Sequence, residues 1–155
     1  MRITFQLNGE MVVCEAAQNR TLLDLLRVDL GLTSVKKGCE QGECGTCTVL
    51  LDGMPVNSCL VLAPQVEGSR VTTVEGIEDD TAMVALRRAF MEDGAIQCGF
   101  CTPGMLISAY ALLLENQHPT EDEAKTAIEG NLCRCTGYVN IIEAILDAAE
   151  RIRNE

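Results

Sequence analysis

The sequence contains no tryptophan and one histidine, and aromatic residues amount to only 3% of its 155 positions. Basic residues are also scarce: 12 lysines and arginines against 23 acidic residues give a formal charge of −11. Nucleic acid and anionic membrane surfaces would repel such a chain, so neither is expected as a partner. No apolar run reaches the roughly 18 residues that span a bilayer. The first residues show no signal-peptide pattern either, so a cytoplasmic location is expected.

Cysteine, in contrast, is abundant, with nine residues in the chain. A secreted disulfide-rich protein would be shorter and would normally carry a signal, whereas cysteine-rich cytoplasmic chains usually bind metal. The hydrophobic fraction of 47% is too high for a disordered chain and sufficient for a packed core. The composition therefore favours a metalloprotein with one domain or two small ones.

The first half of the chain has the pattern of a sheet with one helix. Alternating apolar residues on both sides of Asn8-Gly9 predict a β-hairpin. A stripe of leucines predicts a helix over 22–30, with Thr21 at its start and Gly31 at its end. Short strands are predicted at 48–51, 56–60 and 71–74. This order predicts an α+β domain over residues 1–76.

The second half, residues 77–155, has helical patterns only. Four helices are predicted, at 82–91, 103–114, 121–128 and 139–152. Thr120 and Glu123 have the spacing of a helix capping box, and Gly94 and Gly130 are candidate helix ends. Because the connecting loops are short, we expect a small antiparallel four-helix bundle.

One set of cysteines falls in each half. The first set consists of Cys39, Cys44, Cys47 and Cys59. Its C-x4-C-x2-C spacing with a distant fourth cysteine is typical of plant-type [2Fe–2S] ligation. Three glycines in the same loop, Gly38, Gly42 and Gly45, would let the backbone bend around a cluster. Zinc is the main alternative, but structural zinc sites usually pair two C-x2-4-C units and this set has only one.

The second set consists of Cys98, Cys101, Cys133 and Cys135. The first pair immediately precedes the helix predicted from Pro103, whose positive end would face an anionic site. The other pair follows Gly130, in the loop between the last two helices. By itself this set is compatible with an iron–sulfur cluster or with zinc. Its occurrence beside the first set favours iron–sulfur.

Three runs of sequence carry these cysteines in order: GCEQGECGTC at 38–47, QCGFCTPG at 97–104 and GNLCRCTGY at 130–138. Together they resemble the iron–sulfur subunit of the molybdenum hydroxylases, the family of xanthine dehydrogenase, aldehyde oxidase, and bacterial carbon monoxide and nicotinate dehydrogenases. The resemblance implies a β-grasp ferredoxin-like domain followed by a four-helix domain, each holding one [2Fe–2S] cluster. It also implies a large subunit with molybdenum bound to a pterin and a separate FAD subunit, in a heterotrimer or a dimer of heterotrimers.

The same resemblance implies a role for each site residue, and it implies no catalytic residue on this chain. The cluster nearer molybdenum would be bound by Cys98, Cys101, Cys133 and Cys135. The cluster nearer flavin would be bound by Cys39, Cys44, Cys47 and Cys59. Gln97 and Cys135 match positions that contact the pterin. Electrons would pass from the molybdenum–pterin centre through both clusters to FAD, while the substrate stays open because its pocket lies on another subunit.

Two other functions remain as hypotheses. A free-standing diffusible [2Fe–2S] carrier fits the acidic charge, but such a carrier would need only the first half of the chain. A zinc-binding scaffold would hold zinc in place of iron and would have no reducible centre.

Several residues have plain structural interpretations beside functional ones. Cys14 is expected to be a small buried hydrophobe, and His118 a solvated surface residue. Arg134 could neutralise cluster charge, meet a partner or simply be exposed. Glu40 and Glu43 are expected to face solvent or the flavin subunit.

Overall fold

The computed structural model describes residues 1–155, whose first half forms one mixed five-stranded sheet. The strands are β1 (Arg2–Leu7), β2 (Glu10–Glu15), β3 (Thr48–Leu51), β4 (Met54–Asn57) and β5 (Arg70–Thr72). Their order is β2-β1-β5-β3-β4. β1 and β5 run parallel, and every other neighbouring pair is antiparallel. The sheet thus places the loop before β3 and the segment after β4 close together.

Two tight turns make the hairpins of this sheet. Asn8 and Gly9 both have positive φ, as do Asp52 and Gly53, which is the backbone that two-residue hairpins require. The predicted first hairpin is confirmed. The predicted strand over 56–60 is wrong in its second part, because β4 ends at Asn57 and the chain turns into a 3₁₀-helix at Ser58–Leu60. That turn carries Cys59 away from the sheet and into the interior.

The leucine stripe forms a helix of two kinds. Helix α1 (Leu22–Asp24) is a single turn, capped by Thr21, whose hydroxyl accepts a hydrogen bond from the Asp24 N–H at 3.1 Å. The chain then continues as a π-helical turn over Leu25–Asp29, so the prediction of one regular helix over 22–30 is only partly right. Four leucines in this segment are fully buried: Leu22, Leu23, Leu25 and Leu26.

Four longer helices form the second half. They are α2 (Thr81–Glu92), α3 (Thr102–Glu115), α4 (Glu121–Ile128) and α5 (Val139–Asn154). α2 packs on α5 and α3, and α4 packs on α3 and α5. The predicted capping box is present: the Glu123 N–H donates to the Thr120 hydroxyl and the Thr120 N–H to the Glu123 carboxylate. The α+β class is confirmed, with five α-helices in the chain, one of them among the strands.

Each half has its own hydrophobic core, of 15 buried residues around the sheet and 21 around the long helices. Leu50 crosses this division, because it lies on β3 yet packs into the helical core, where α3 covers the strand. The two halves are therefore in direct apolar contact. None of the helices is both long enough and apolar enough to cross a membrane.

A carboxylate ties the segment between the halves to the first one. Glu75 accepts hydrogen bonds from the Ser34 hydroxyl at 2.5 Å and from the Ser34 N–H at 3.2 Å. Partial burial favours the protonated acid, but the hydrogen bonds from Ser34, together with the Thr73 hydroxyl, outweigh it and lower the pKa of Glu75 below its ordinary value. Because the pKa of Glu75 is lower in the folded chain than in the unfolded chain, this stabilisation is fully present at a pH above the ordinary pKa. It is lost as the pH falls through the lowered pKa of the folded chain.

We therefore expect acid to destabilise the wild-type chain more than a Glu75→Gln variant, between about pH 5 and pH 3. Thermal unfolding followed by circular dichroism at several pH values measures this. Melting temperatures that fall in parallel for the two proteins over that range would contradict the assignment.

Candidate functional site

The loop before β3 turns its backbone N–H groups toward one thiol. Three of them donate to Cys39 Sγ: those of Gln41 at 3.4 Å, Glu43 at 3.3 Å and Cys44 at 3.3 Å. Positive φ angles at Glu40 and Gly42 bend the chain so that these groups converge. The three donors lower the pKa of Cys39 to about 6. The loop therefore favours a thiolate at Cys39, the form that binds metal.

Two of the other thiols of the first set lie deeper. Cys47 and Cys59 are buried and in contact with each other, and Cys39 contacts Cys44. Burial, reinforced by Cys47, raises the pKa of Cys59 to about 11. The Ser58 hydroxyl donates to the Cys47 carbonyl at 2.7 Å, which ties the 3₁₀-helix to the loop. The four thiols thus form two contacting pairs.

The second set also forms two contacting pairs. Cys98 and Cys135 are exposed and meet at the surface, whereas Cys101 and Cys133 meet further inside. Burial raises the pKa of Cys101 to about 12. Burial acts in the same sense on Cys133, but the Thr136 hydroxyl, which donates to its Sγ at 3.1 Å, reverses the effect and lowers the Cys133 pKa.

Tyr138 holds the loop that carries the second pair. Its backbone has φ 71°, a left-handed conformation that is strained for a bulky residue. In this conformation its phenol oxygen accepts a hydrogen bond from the Cys133 N–H at 3.0 Å, and its own N–H donates to the Thr136 hydroxyl at 3.2 Å. Tyr138 thereby fixes the loop just before α5 begins.

The loops of the two sets touch each other. The Leu132 N–H donates to the Cys44 carbonyl at 2.9 Å, and the Thr46 hydroxyl donates to the Phe100 carbonyl at 2.9 Å. Gly45 lies so close to the second loop that a Cβ there would overlap the carbonyl oxygen of Gly130. We call this contact region the loop junction, and it comprises residues 44–48, 100, 104 and 130–132.

The thiol arrangement fits two [2Fe–2S] clusters. Such a cluster has two irons, each bound by two thiolates, and each set presents two contacting pairs of thiols. No group of three or more Cys, His, Asp or Glu side chains converges in the way that a single metal ion requires. N–H and O–H donors aimed at the Sγ atoms would stabilise the negative charge of a bound cluster.

Comparison with known proteins agrees with this geometry. The family model of the 2Fe-2S iron-sulfur cluster binding domain matches residues 5–72, and that of the [2Fe-2S] binding domain matches residues 73–146. The nicotinate dehydrogenase small FeS subunit of Eubacterium barkeri is 51% identical over 152 residues, covering 98% of this chain and 97% of that protein. This chain belongs to the iron–sulfur subunits of the molybdenum hydroxylases.

Two further similar proteins support the assignment of this iron–sulfur subunit to the family. The nicotine 6-hydroxylase small subunit of Paenarthrobacter nicotinovorans is 48% identical and covers 100% of this chain and 93% of that protein. A crystal structure of quinoline 2-oxidoreductase from Pseudomonas putida 86 superposes with a TM-score of 0.93 at 49% identity, covering 99% of this chain and 96% of that one. The predictions of an electron-transfer subunit of an oxidoreductase and of two [2Fe–2S] clusters are confirmed.

The remaining residues considered in the sequence analysis lie at the surface of the iron–sulfur subunit or on the edge strand of its sheet. Gln97 is exposed beside Cys98, and Arg134 is exposed between the second pair of cysteines. Glu40 is exposed and pairs with Lys37 at 2.9 Å. Glu43 and His118 are exposed, while Cys14 lies half-buried on β2, packed against the first core.

Sequence reasoning did not single out the polar residues that hold the cysteine loops. These are Thr46, Ser108, Asn131, Thr136 and Tyr138. Four of them fall inside the cysteine runs given above. Nothing in the sequence separates a hydroxyl or amide that contacts a neighbouring loop from one that faces solvent. Their roles depend on partners far away in the chain, such as Phe100 for Thr46.

Proposed function

We propose that this electron-transfer subunit binds its clusters through the eight paired cysteines. The first site would use Cys39, Cys44, Cys47 and Cys59. The second site would use Cys98, Cys101, Cys133 and Cys135. The observation that carries the proposal is the loop junction, where the Leu132 N–H next to Cys133 meets the carbonyl of Cys44. Two one-electron centres held this close can serve as consecutive relay stations.

The cofactors supply the redox chemistry, and the protein supplies position and charge stabilisation. When bound, the two clusters would carry single electrons from a molybdenum–pterin centre to FAD, both on partner subunits. The Cys39 loop and the Thr136 hydroxyl hold thiolates ready for ligation and donate hydrogen bonds to them. The buried Cys47, Cys59 and Cys133 keep water from one side of each site.

The division of the chain supports one site per domain. We infer a β-grasp ferredoxin-like domain over residues 1–76 and a four-helix bundle domain over residues 77–155. The separate cores of the two halves and the packing of α2 to α5 around the second core support this division. Each set of cysteines lies entirely within one of these domains.

The exposed sides of the two sites support a proposal for the partner that each of them faces. Cys98 and Cys135 reach the surface beside Gln97, so we infer that this edge faces the pterin of a large molybdenum subunit, contacted by Gln97 and Cys135. The loop with Glu40 and Glu43 is exposed beside the first site and would face an FAD subunit. A heterotrimer or a dimer of heterotrimers would follow.

Iron and sulfide analysis of the purified chain tests the proposal. We expect about four irons and four sulfides per chain, and two distinct signals in electron paramagnetic resonance (EPR) after reduction. About two irons, or zinc in their place, would contradict it. Purification from cells that also express the neighbouring subunits distinguishes a subunit from a diffusible carrier: a stable molybdenum-containing complex is expected, and a chain that purifies alone would favour the carrier.

The Thr136 hydroxyl provides a test of the second site alone. A Thr136→Val substitution removes the hydrogen bond to Cys133 Sγ, which stabilises the more negative, reduced form. Taking about 1 kcal/mol for the lost difference, the potential of the second cluster should fall by roughly 40 mV. A redox titration followed by EPR measures it, with Thr126→Val on α4 as the control. Unchanged potentials in both variants would contradict this role.

A further inference from the structure

One buried amide lies at the centre of the loop junction. The side chain of Asn131 is 4% exposed, and its Nδ2 donates to the Gly45 carbonyl at 3.0 Å and to the Thr48 hydroxyl at 3.4 Å. Its Oδ1 accepts a hydrogen bond from the Ser108 hydroxyl at 2.7 Å. Both donor hydrogens of the amide are thus used, and the bond from Ser108 fixes which way the amide faces.

Asn131 and its partners belong to three different segments, each of which carries or directly follows cysteines. Gly45 lies between Cys44 and Cys47 in the first loop, and Asn131 itself lies two residues before Cys133. Ser108 is on α3, the helix that begins directly after Cys101. The side-chain hydrogen bonds of Asn131 go to Gly45, Thr48 and Ser108 and not to a thiol. The side chain therefore joins the two loops to each other rather than binding a ligand Sγ atom.

The chemistry of this contact makes it hard to replace. A buried polar group that loses its partner keeps the full cost of its lost hydration, which is larger than the net gain from an ordinary hydrogen bond. The Gly45 carbonyl accepts from both Asn131 Nδ2 and the Thr48 hydroxyl. Van der Waals contact alone would allow the loops to slide, whereas these directional bonds define one arrangement.

We propose that Asn131 is a positioning residue that fixes the separation and orientation of the two clusters for electron transfer. The inference rests on the proposed cluster ligands. In this proposal Asn131 sets the distance and orientation between the two sites. The cysteines and their N–H donors set the geometry within each site. Tunnelling and magnetic coupling both depend steeply on distance, so a small shift at the junction changes the relay.

An Asn131→Asp substitution in the full-length, cluster-loaded chain tests the proposal. Aspartate has nearly the same shape and still accepts from Ser108, but it places an acceptor oxygen against the Gly45 carbonyl. We expect both clusters to remain and the EPR splitting between the two reduced clusters to change. Hydrogen exchange at the Leu132 N–H should become about tenfold faster or more, because its hydrogen bond to the Cys44 carbonyl opens more often.

An Asn8→Asp substitution serves as the control. Asn8 also makes two hydrogen bonds, to Thr73, across a large sequence separation, but it lies in the hairpin turn away from the cysteines. It should leave both the splitting and the Leu132 exchange unchanged. A merely structural loss of stability would not alter the splitting in chains that keep both clusters.

A Ser108→Ala substitution tests the proposal if the Asn131→Asp chain does not fold or does not bind both clusters. It leaves the amide in place and removes only the bond that orients it, so a smaller change of the same two measurements is expected. Full loading with unchanged splitting and exchange would overturn the proposal. A wild-type chain without two clusters would instead contradict the proposed function, and exchange at Leu132 in the cluster-free chain would still test Asn131.

Discussion

Replacing Gly45 by alanine is expected to lower the free energy of unfolding by about 3–5 kcal/mol. The new Cβ would overlap the Gly130 carbonyl oxygen and would lie 2.9 Å from Asn131 Nδ2. Backbone atoms cannot rotate away as a long side chain can, so one of the two loops must move. Gly45 also has φ +70°, a conformation that costs a residue with Cβ about 1–2 kcal/mol.

Chemical denaturation of the wild-type and Gly45→Ala chains measures the effect, with iron content as a second measurement. Gly68→Ala is the matched control, because Gly68 has φ +73° but no atom within 4 Å of the position of its Cβ. It should show only the conformational cost of about 1–2 kcal/mol. Equal losses for the two variants would show that the loop junction adds nothing to stability.

Substitution of one cysteine from each set, taken from the pair that lies further inside, is expected to remove one cluster and leave the other. Cys47→Ala should reduce the iron content from about four to about two per chain by emptying the first site, and Cys101→Ala should do so by emptying the second. The reason is that each set forms its own two thiol pairs, and every thiol contact named above joins two members of the same set. EPR then identifies which of the two signals remains.

A Cys14→Ala substitution is the control for these variants. Cys14 lies on β2 with no other cysteine in contact, so iron content and both signals should stay as in the wild type. If Cys14→Ala loses iron, or if either single substitution empties both sites, the assignment of two independent sets of four ligands is wrong.

Local features were predictable where neighbours in the chain supply the whole interaction. The Asn8-Gly9 turn needs only two residues that accept positive φ, and the capping box joins Thr120 to Glu123 within one turn. The cysteine spacing belongs to this group as well. The end of the second hairpin was predicted wrongly, and the cause is non-local. Ser58 leaves the sheet, and its hydroxyl donates to the Cys47 carbonyl across the first site.

The junction residues were not predictable for the same reason. Asn131 finds Gly45 across 86 positions of the chain, and the Thr46 hydroxyl finds Phe100 across 54. In the sequence Tyr138 is only the last residue of a cysteine run. The structure shows that its backbone is left-handed and that its phenol oxygen accepts a hydrogen bond from the Cys133 N–H. An amide or hydroxyl has no periodicity that would indicate such a partner.

The sequence by itself determined the α+β class, the two sets of four cysteines and, through the resemblance of three runs, the family. These depend on residue identity and on short spacings, which can be read along the chain. Only the tertiary structure decided how the thiols pair, which pairs are exposed, and that Asn131 joins the two cysteine loops. Those facts depend on directional contacts between segments that are distant in sequence, and they exist only after the two cores have formed.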